Sequence, residues 1–148
     1  MSNADTLRFD IVSHVILIVH ADVAPDANDW KRMMIVRDAH HDKLRGVLVV
    51  APPRAKLSAS QRSDVTRSMR ETGASTAVVT DSALVRGVAR AIGFLGVPVR
   101  AFSPTEVASA LNFLAIPPTR HDDFIRRIEA LKMQLSSRPP QMPLQKDL

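Results

Sequence analysis

The chain has 148 residues, of which 45% are hydrophobic and only 4% aromatic, and its formal net charge is +5. This length suits one domain with a substantial core, and the absence of cysteine excludes disulfides and thiolate sites. The longest apolar run, Val15–Val19, is too short to span a bilayer. Because the first ten residues lack the apolar stretch of a secretory signal, we expect a cytoplasmic protein.

The positive charge comes mostly from arginine, and acidic residues are interspersed with it. This pattern is typical of a solvated basic surface rather than of a nucleic-acid-binding segment. The chain also has no tyrosine and few aromatic residues on which bases could stack. Nucleic acid is therefore disfavoured as a partner, whereas peripheral contact with an anionic membrane surface stays open.

Two strands open the predicted fold. Residues 7–13 alternate apolar and polar side chains, as in a half-exposed strand, and residues 14–20 contain five consecutive apolar residues, as in a buried strand. A turn at Ser13–His14 would join them as an antiparallel hairpin, although no strong turn dipeptide marks it. After a loop, Asp26 or Asn28 is predicted to cap the first helix. The residues at helical spacing in that helix are Trp30, Met33, Met34 and Arg37.

A third strand and a polar helix follow. Residues 44–50 are mostly apolar and are predicted to form a strand, which Pro52–Pro53 ends. Ser58 or Ser60 is predicted to cap a polar helix, and Gly73 stops that helix.

The next segment indicates the fold class. Residues 76–80 predict a strand, residues 83–96 a helix and residues 97–102 another strand. Asp81 and Ser82 form the polar turn between the first strand and the helix. Strand, helix and strand in this order make a βαβ unit, whose two strands pair in parallel.

Two more helices end the predicted fold. Ser103–Glu106 is a typical helix start, and its helix is predicted to run to Ala115. The last helical segment covers residues 119–136 and carries an apolar stripe, while the proline-rich residues 137–148 are predicted to be a disordered tail. The stripe consists of Phe124, Ile128, Leu131 and Leu135. It predicts docking on the body of the domain, with a partner or dimer surface as the alternative.

The predicted fold is a single α/β domain. Its sheet is mixed and mostly parallel, with an antiparallel edge strand, helices packed on the sheet and an extra C-terminal helix. This element order is that of the STAS fold, and three segments carry a closer resemblance. They are Leu57–Arg62, Ala77–Ser82 with Arg86–Gly87, and Arg100–Glu106 with Ala110, Leu111 and Leu114. Through these residues the chain resembles the bacterial SpoIIAA-like family of the STAS/SEC14-like group over residues 7–116.

Signatures of enzymes are missing from the sequence. There is no glycine-rich phosphate loop, no dinucleotide fingerprint and no G-x-S-x-G elbow. The five histidines have no metal-ligand spacing, because the adjacent His40 and His41 would point about 100° apart on a helix. We therefore predict a non-enzymatic protein with no catalytic residues, no metal and no cofactor.

Polar residues at the carboxyl ends of the predicted strands form a first candidate site, because open α/β sheets place their sites at this edge. The residues predicted to form this anion-binding or partner-binding rim are Asp22, Arg62, Thr80, Asp81 and Arg86. Solvated surface with local ion pairs is the alternative reading of the arginines.

Serines at predicted helix starts form a second candidate site. A serine early in the helix after the third strand is the phosphorylated residue of STAS-type anti-sigma antagonists, which the chain resembles here at Ser58 and Ser60. The Asp-Ser pair that usually follows the strand in those proteins is absent from this chain. Ser82 is a third candidate phosphoacceptor, and helix capping is the alternative role of all three.

An apolar pocket lined by Trp30, Met33 and Met34 is a third candidate site, with core packing as the alternative. The resemblance implies a small interaction domain, or one that holds a nonpolar ligand. We therefore expect a STAS-like regulatory module that docks a protein partner, or a second copy, at the rim. The alternative is a carrier or sensor of a small nonpolar or lipid-like ligand.

Overall fold

The computed structural model describes residues 5–136 of the chain. The strands of this part are β1 (Leu7–Val12), β2 (Val15–His20), β3 (Gly46–Val50), β4 (Ser75–Val79) and β5 (Val99–Phe102). The α-helices are α1 (Ala27–Ala39), α2 (Ala59–Thr72), α3 (Ala83–Gly93), α4 (Val107–Phe113) and α5 (His121–Ser136). Short 3₁₀ turns at Pro104–Glu106 and Pro118–Arg120 precede α4 and α5. The tail predicted at residues 137–148 lies outside the described residues.

The strands form one mixed sheet in the order β1-β2-β3-β4-β5. The pair β1–β2 is antiparallel, and all other neighbours are parallel, which confirms the predicted α/β class with an antiparallel edge strand. Ser13 and His14 join β1 to β2 with φ values of 48° and 69°. Two consecutive left-handed residues are typical of the tight turns that match the twist of a hairpin. The predicted hairpin therefore forms without an Asn-Gly or Asp-Gly pair.

Side-chain caps explain where the helices begin. The Asp26 carboxylate accepts hydrogen bonds from the amides of Asn28 and Asp29, which starts α1. Ser58 and Gln61 form a reciprocal capping box at the start of α2, and Ser82 caps α3. Each cap satisfies a backbone amide that lacks a partner within its helix.

One face of the sheet packs against α4 and α5. Phe124, Ile128 and Leu131 of α5 are buried in the same apolar cluster as Leu17 of β2 and Leu111 of α4. The apolar stripe of the last helix therefore docks on the sheet of its own chain. None of the helices in residues 5–136 is long and apolar enough to cross a membrane.

The opposite face packs against α1, α2 and α3. Trp30, Met33 and Met34 of α1 are buried in an apolar cluster with the neighbouring strands. By contrast, Ala89 is the buried residue of α3, and Leu84 in its first turn is 56% exposed. Helix α3 is thus the loosely packed part of this layer.

Candidate functional site

A cavity of about 260 Å³ lies between the sheet and the layer formed by α1, α2 and α3, and we call it the inter-layer cavity. Its floor consists of side chains from four parallel strands, namely Ile18, Val47, Val49, Thr76, Val78 and Val99. Its apolar walls come from the three helices and include Trp30, Met33, Val65, Met69, Leu84, Val85, Val88 and Ile92. The cavity is therefore a part of the apolar space between the sheet and the helices that side chains do not fill.

The sequence of α3 explains why the cavity is open. Leu84, Val88 and Ile92 recur every four residues and form one apolar stripe, which lines the cavity. This stripe is only partly covered, since Leu84 is exposed and Val88 and Ile92 are half-buried. A soluble helix normally buries such a stripe against a neighbour. In α3, the stripe faces the cavity instead of a packed neighbour.

A buried arginine lines the same cavity. Arg37, in the last turn of α1, is 2% exposed, and its Nε and Nη2 have no hydrogen-bond partner within residues 5–136. Burial lowers the pKa of Arg37 to about 10, while Asp38 opposes this shift and Arg67 adds to it. The guanidinium therefore stays protonated at neutral pH. A buried cation without partners is rare, because charged groups lose strong hydration when they are buried.

His20 and Thr76 add two more polar atoms to the lining. His20, the last residue of β2, is buried, and its Nδ1 lacks a hydrogen-bond partner in the described part of the chain. Burial lowers the pKa of His20 to about 4, so the imidazole is neutral at neutral pH. The Thr76 hydroxyl at the start of β4 is likewise buried and unpaired among the described residues.

Two exposed cations lie on the opposite side of the lining. Lys56 precedes α2 and Arg62 lies in its first turns, near the carboxyl end of β3, and both contribute to the cavity wall. Arg62 Nη1 donates a hydrogen bond of 2.8 Å to the Leu57 carbonyl oxygen. The cavity thus has solvent-exposed cations near the carboxyl edge of the sheet and buried Arg37 near the amino edge.

Of the three residues predicted to line an apolar pocket, the structure places only two at the inter-layer cavity. Trp30 and Met33 line the inter-layer cavity, and Trp30 Nε1 donates a 3.0 Å hydrogen bond to Asp64. Met34 is buried in the core cluster and is not one of the residues that line the cavity. Two of the three residues therefore lie where a ligand could reach them.

The predicted rim residues do not form one cluster. Asp22 accepts a hydrogen bond of 2.8 Å from the Arg54 amide, which joins two loops. Thr80 is 2% exposed, and its hydroxyl accepts a hydrogen bond from the Ser82 amide, so it serves the chain turn. Asp81 is exposed, whereas Arg62 lines the inter-layer cavity and Arg86 lies on α3.

A separate cleft of about 480 Å³ lies at this rim, and we call it the rim cleft. It is bounded on one side by the ends of β3 and β4 and on the other by α4 and α5. Its lining residues include Pro52, Thr80, Asp81, Ile125, Glu129 and Lys132. Thr80 and Asp81 are the predicted rim residues that this cleft contains.

The three candidate phosphoacceptor serines differ in exposure. Ser58 is exposed but accepts a hydrogen bond of 3.1 Å from the Gln61 amide as the cap of α2. Ser60 is exposed in the first turn of the same helix. Ser82 is buried, and its hydroxyl accepts a hydrogen bond of 3.2 Å from the Val85 amide. The capping role is observed for Ser58 and Ser82, and phosphorylation of any of the three stays a prediction.

The polar lining residues His20, Arg37 and Thr76 were not predicted as site residues. A signal was present for Arg37, which follows Met33 by four residues and therefore shares the apolar face of α1. Similarly, His20 alternates with Ile16 and Ile18 on one face of β2. A charged or titratable residue in register with a buried face is the pattern that would have indicated them.

Comparison with models of known protein families finds no match for this chain, and comparison with curated proteins finds none either. The resemblance to the SpoIIAA-like family therefore stays a prediction from the residues. Within residues 5–136, no three histidine, aspartate or glutamate side chains come together as a metal site would require.

Proposed function

We propose that this protein binds a nonpolar small molecule in the inter-layer cavity and acts as its carrier or sensor. The cavity itself is the observation that carries this proposal. The cavity has a volume of about 260 Å³ and is lined mainly by apolar side chains. It lies beneath α3, whose apolar stripe is partly exposed. Sites for small molecules are typically concave, mostly apolar and preformed, with volumes from ~300 Å³ upward. The inter-layer cavity lies close to the lower end of that range.

The energetics favour occupation of the cavity. Leu84 is 56% exposed, and Val85 and Val88 beside it are half-buried. Removal of apolar surface from water contributes ~25 cal/mol for each Å². A nonpolar molecule bound beneath α3 would remove from water both its own apolar surface and part of this stripe.

The single tryptophan provides the test. Trp30 lines the cavity, and the chain has no tyrosine, so its fluorescence reports on this place alone. We expect decan-1-ol to change that fluorescence saturably. The variant Val88→Phe puts a larger side chain on the half-buried wall and should weaken binding by ~10-fold or more.

Ile35→Phe is the matched control, because Ile35 is 58% exposed on α1 and is not a lining residue. Its affinity for decan-1-ol should equal that of the wild type. Native mass spectrometry of protein purified from its own host would measure the mass of any molecule that stays bound. The proposal fails if decan-1-ol causes no saturable change, or if both variants bind it as the wild type does.

Docking of a protein partner or a second copy at the rim is the second candidate function. It is the regulatory role that the resemblance to STAS proteins implies. The rim cleft supports it, because the cleft combines the partly exposed Ile125 with charged residues of both signs, Asp81 and Lys132. An apolar centre with a charged border is typical of protein interfaces.

A further inference from the structure

We infer that the ligand of the inter-layer cavity is a nonpolar molecule that carries one carboxylate group, and that Arg37 binds this carboxylate. The inference rests on the proposed ligand-binding function and names the chemical class of the ligand. Arg37 lines the cavity, is 2% exposed and, with a pKa of about 10, keeps its positive charge at neutral pH.

The unpaired atoms of Arg37 match a carboxylate in geometry. Nε and Nη2 both lack a hydrogen-bond partner within the described residues. These two nitrogens form one edge of the planar guanidinium, and their N–H bonds are parallel. This edge binds the two oxygens of a carboxylate through two hydrogen bonds. A neutral hydroxyl has a single oxygen and no charge, so it cannot form this pair of parallel charge-assisted bonds.

The nearest carboxylate of the chain does not fill this role. Asp38 follows Arg37 and favours its charged form, but its Oδ1 has no hydrogen-bond partner in the described part of the chain. Asp38 Oδ2 instead lies 3.6 Å from Arg67 Nη2. The buried charge of Arg37 therefore lacks a hydrogen-bonded counter-charge, which a ligand can supply.

The topology places a further donor at the same end of the cavity as Arg37. Helix α1 follows β2 and packs back along the sheet, so its last turn lies near the amino ends of the parallel strands. Thr76 is at the amino end of β4, lines the same cavity and has an unpaired hydroxyl among the described residues. The hydroxyl can donate a third hydrogen bond to a carboxylate at this end.

The exposed cations of the lining are weaker candidates. Arg62 and Lys56 are exposed, and water and salt screen their charges. Arg62 Nη1 is also bonded to the Leu57 carbonyl oxygen. The buried charge of Arg37 is not screened in this way, so we place the carboxylate there and the nonpolar chain along the cavity.

The test compares ligands of equal chain length that differ in the head group. Decanoate and decan-1-ol are titrated below their aggregation limits, and the fluorescence of Trp30 is followed. Hydrogen bonds to a charged group that is shielded from water favour decanoate by ~10- to 100-fold in the wild type. In Arg37→Met the affinity for decanoate should fall to that for decan-1-ol, while the affinity for decan-1-ol changes by less than ~3-fold.

Arg62→Met is the matched control, because it removes a cation from the same lining and should leave the preference for decanoate within ~2-fold. Thr76→Val is a second test that keeps the charge of Arg37. It should lower the affinity for decanoate several-fold and leave that for decan-1-ol unchanged. Thermal unfolding of each variant shows that it is folded before it is titrated.

Three results would overturn the inference. Equal affinities for decanoate and decan-1-ol in the wild type would refute the carboxylate but keep the proposed function. Loss of the preference in Arg62→Met, with Arg37→Met unaffected, would place the carboxylate at the exposed end. Tighter binding of decyl phosphate than of decanoate would replace the carboxylate by a phosphate. If neither decanoate nor decan-1-ol binds, the proposed function itself fails.

Discussion

At the scale of single residues, the notable feature is a set of buried polar side chains without partners. Native proteins pair most of their buried polar atoms, because an unpaired one loses its hydration without replacement. Six of the described residues depart from this rule, and three of them, Arg37, His20 and Thr76, line the inter-layer cavity. Under the proposed ligand-binding function, a bound molecule would supply partners for polar atoms of this lining.

His20 leads to a prediction about pH. Its pKa is lowered to about 4 in the folded protein, against an ordinary value of 6.5. As the pH falls below 6.5, His20 is protonated in the unfolded chain but not in the folded protein. The free energy of unfolding therefore decreases until the pH reaches about 4. Between pH 7 and pH 4.5 we expect this histidine to reduce the free energy of unfolding by about 2 kcal/mol.

Urea unfolding of the wild type and of His20→Leu at both pH values measures this difference. Carboxylates titrate in the same range in both proteins, so the difference between the two pH dependences isolates His20. Parallel pH dependences would show that His20 is not desolvated as described.

At the scale of elements, α3 and α5 show that similar helices can have different roles. Both are amphipathic, but the stripe of α5 is buried against the sheet, with Phe124 1% and Ile128 4% exposed. The stripe of α3 faces the inter-layer cavity, and Leu84 is more than half exposed. Helix α5 therefore stabilises the fold, whereas the stripe of α3 is the surface on which the proposed ligand would pack.

The role of α5 predicts a large effect of one substitution. Phe124→Ala removes a fully buried ring and leaves a cavity, so we expect the free energy of unfolding to fall by about 3–5 kcal/mol. Met133→Ala on the same helix should change it by less than about 0.5 kcal/mol, because Met133 is 66% exposed. Chemical denaturation measures both values. Similar effects for the two variants would mean that α5 does not dock as described.

At the scale of the whole molecule, the two faces of the sheet are covered differently, and the surface of residues 5–136 includes two partly apolar places that contrast with each other. One is the rim cleft with Ile125, which is 37% exposed, and the other is the end of α3, where Phe94 is 83% exposed. Exposed apolar patches often mark interaction surfaces. Docking at the rim, the second candidate function, assigns the interface to the first of these places.

Sedimentation velocity over a range of concentrations separates the two surfaces. If a second copy docks at the rim, we expect the sedimentation coefficient of the wild type to rise with concentration. Ile125→Glu should abolish the rise, because a buried unpaired charge opposes association, and Phe94→Glu should leave it unchanged. The reverse pattern would assign the interface to α3, and a constant coefficient would exclude self-association.

Much of the fold followed from local signals. Alternation and apolar runs predicted β1 to β5, and the caps at Asp26, Ser58 and Ser82 were among the predicted helix starts. Such signals work because a capping side chain and the backbone it bonds are only a few residues apart. The candidate site was predicted only in part, through Trp30 and Met33 of the predicted apolar pocket and Arg62 of the predicted rim.

The sequence by itself thus determined the order and kind of the elements, the α/β class and the apolar faces of α1 and α5, since all of these depend on near neighbours in the chain. Only the tertiary structure decided that α3 packs loosely over the sheet and leaves the inter-layer cavity. It also decided that Arg37 lies within that cavity while Asp22 and Thr80 bond to neighbouring backbone amides. The physical reason is that a cavity and an unpaired charge depend on how distant elements fill space, which no local pattern encodes.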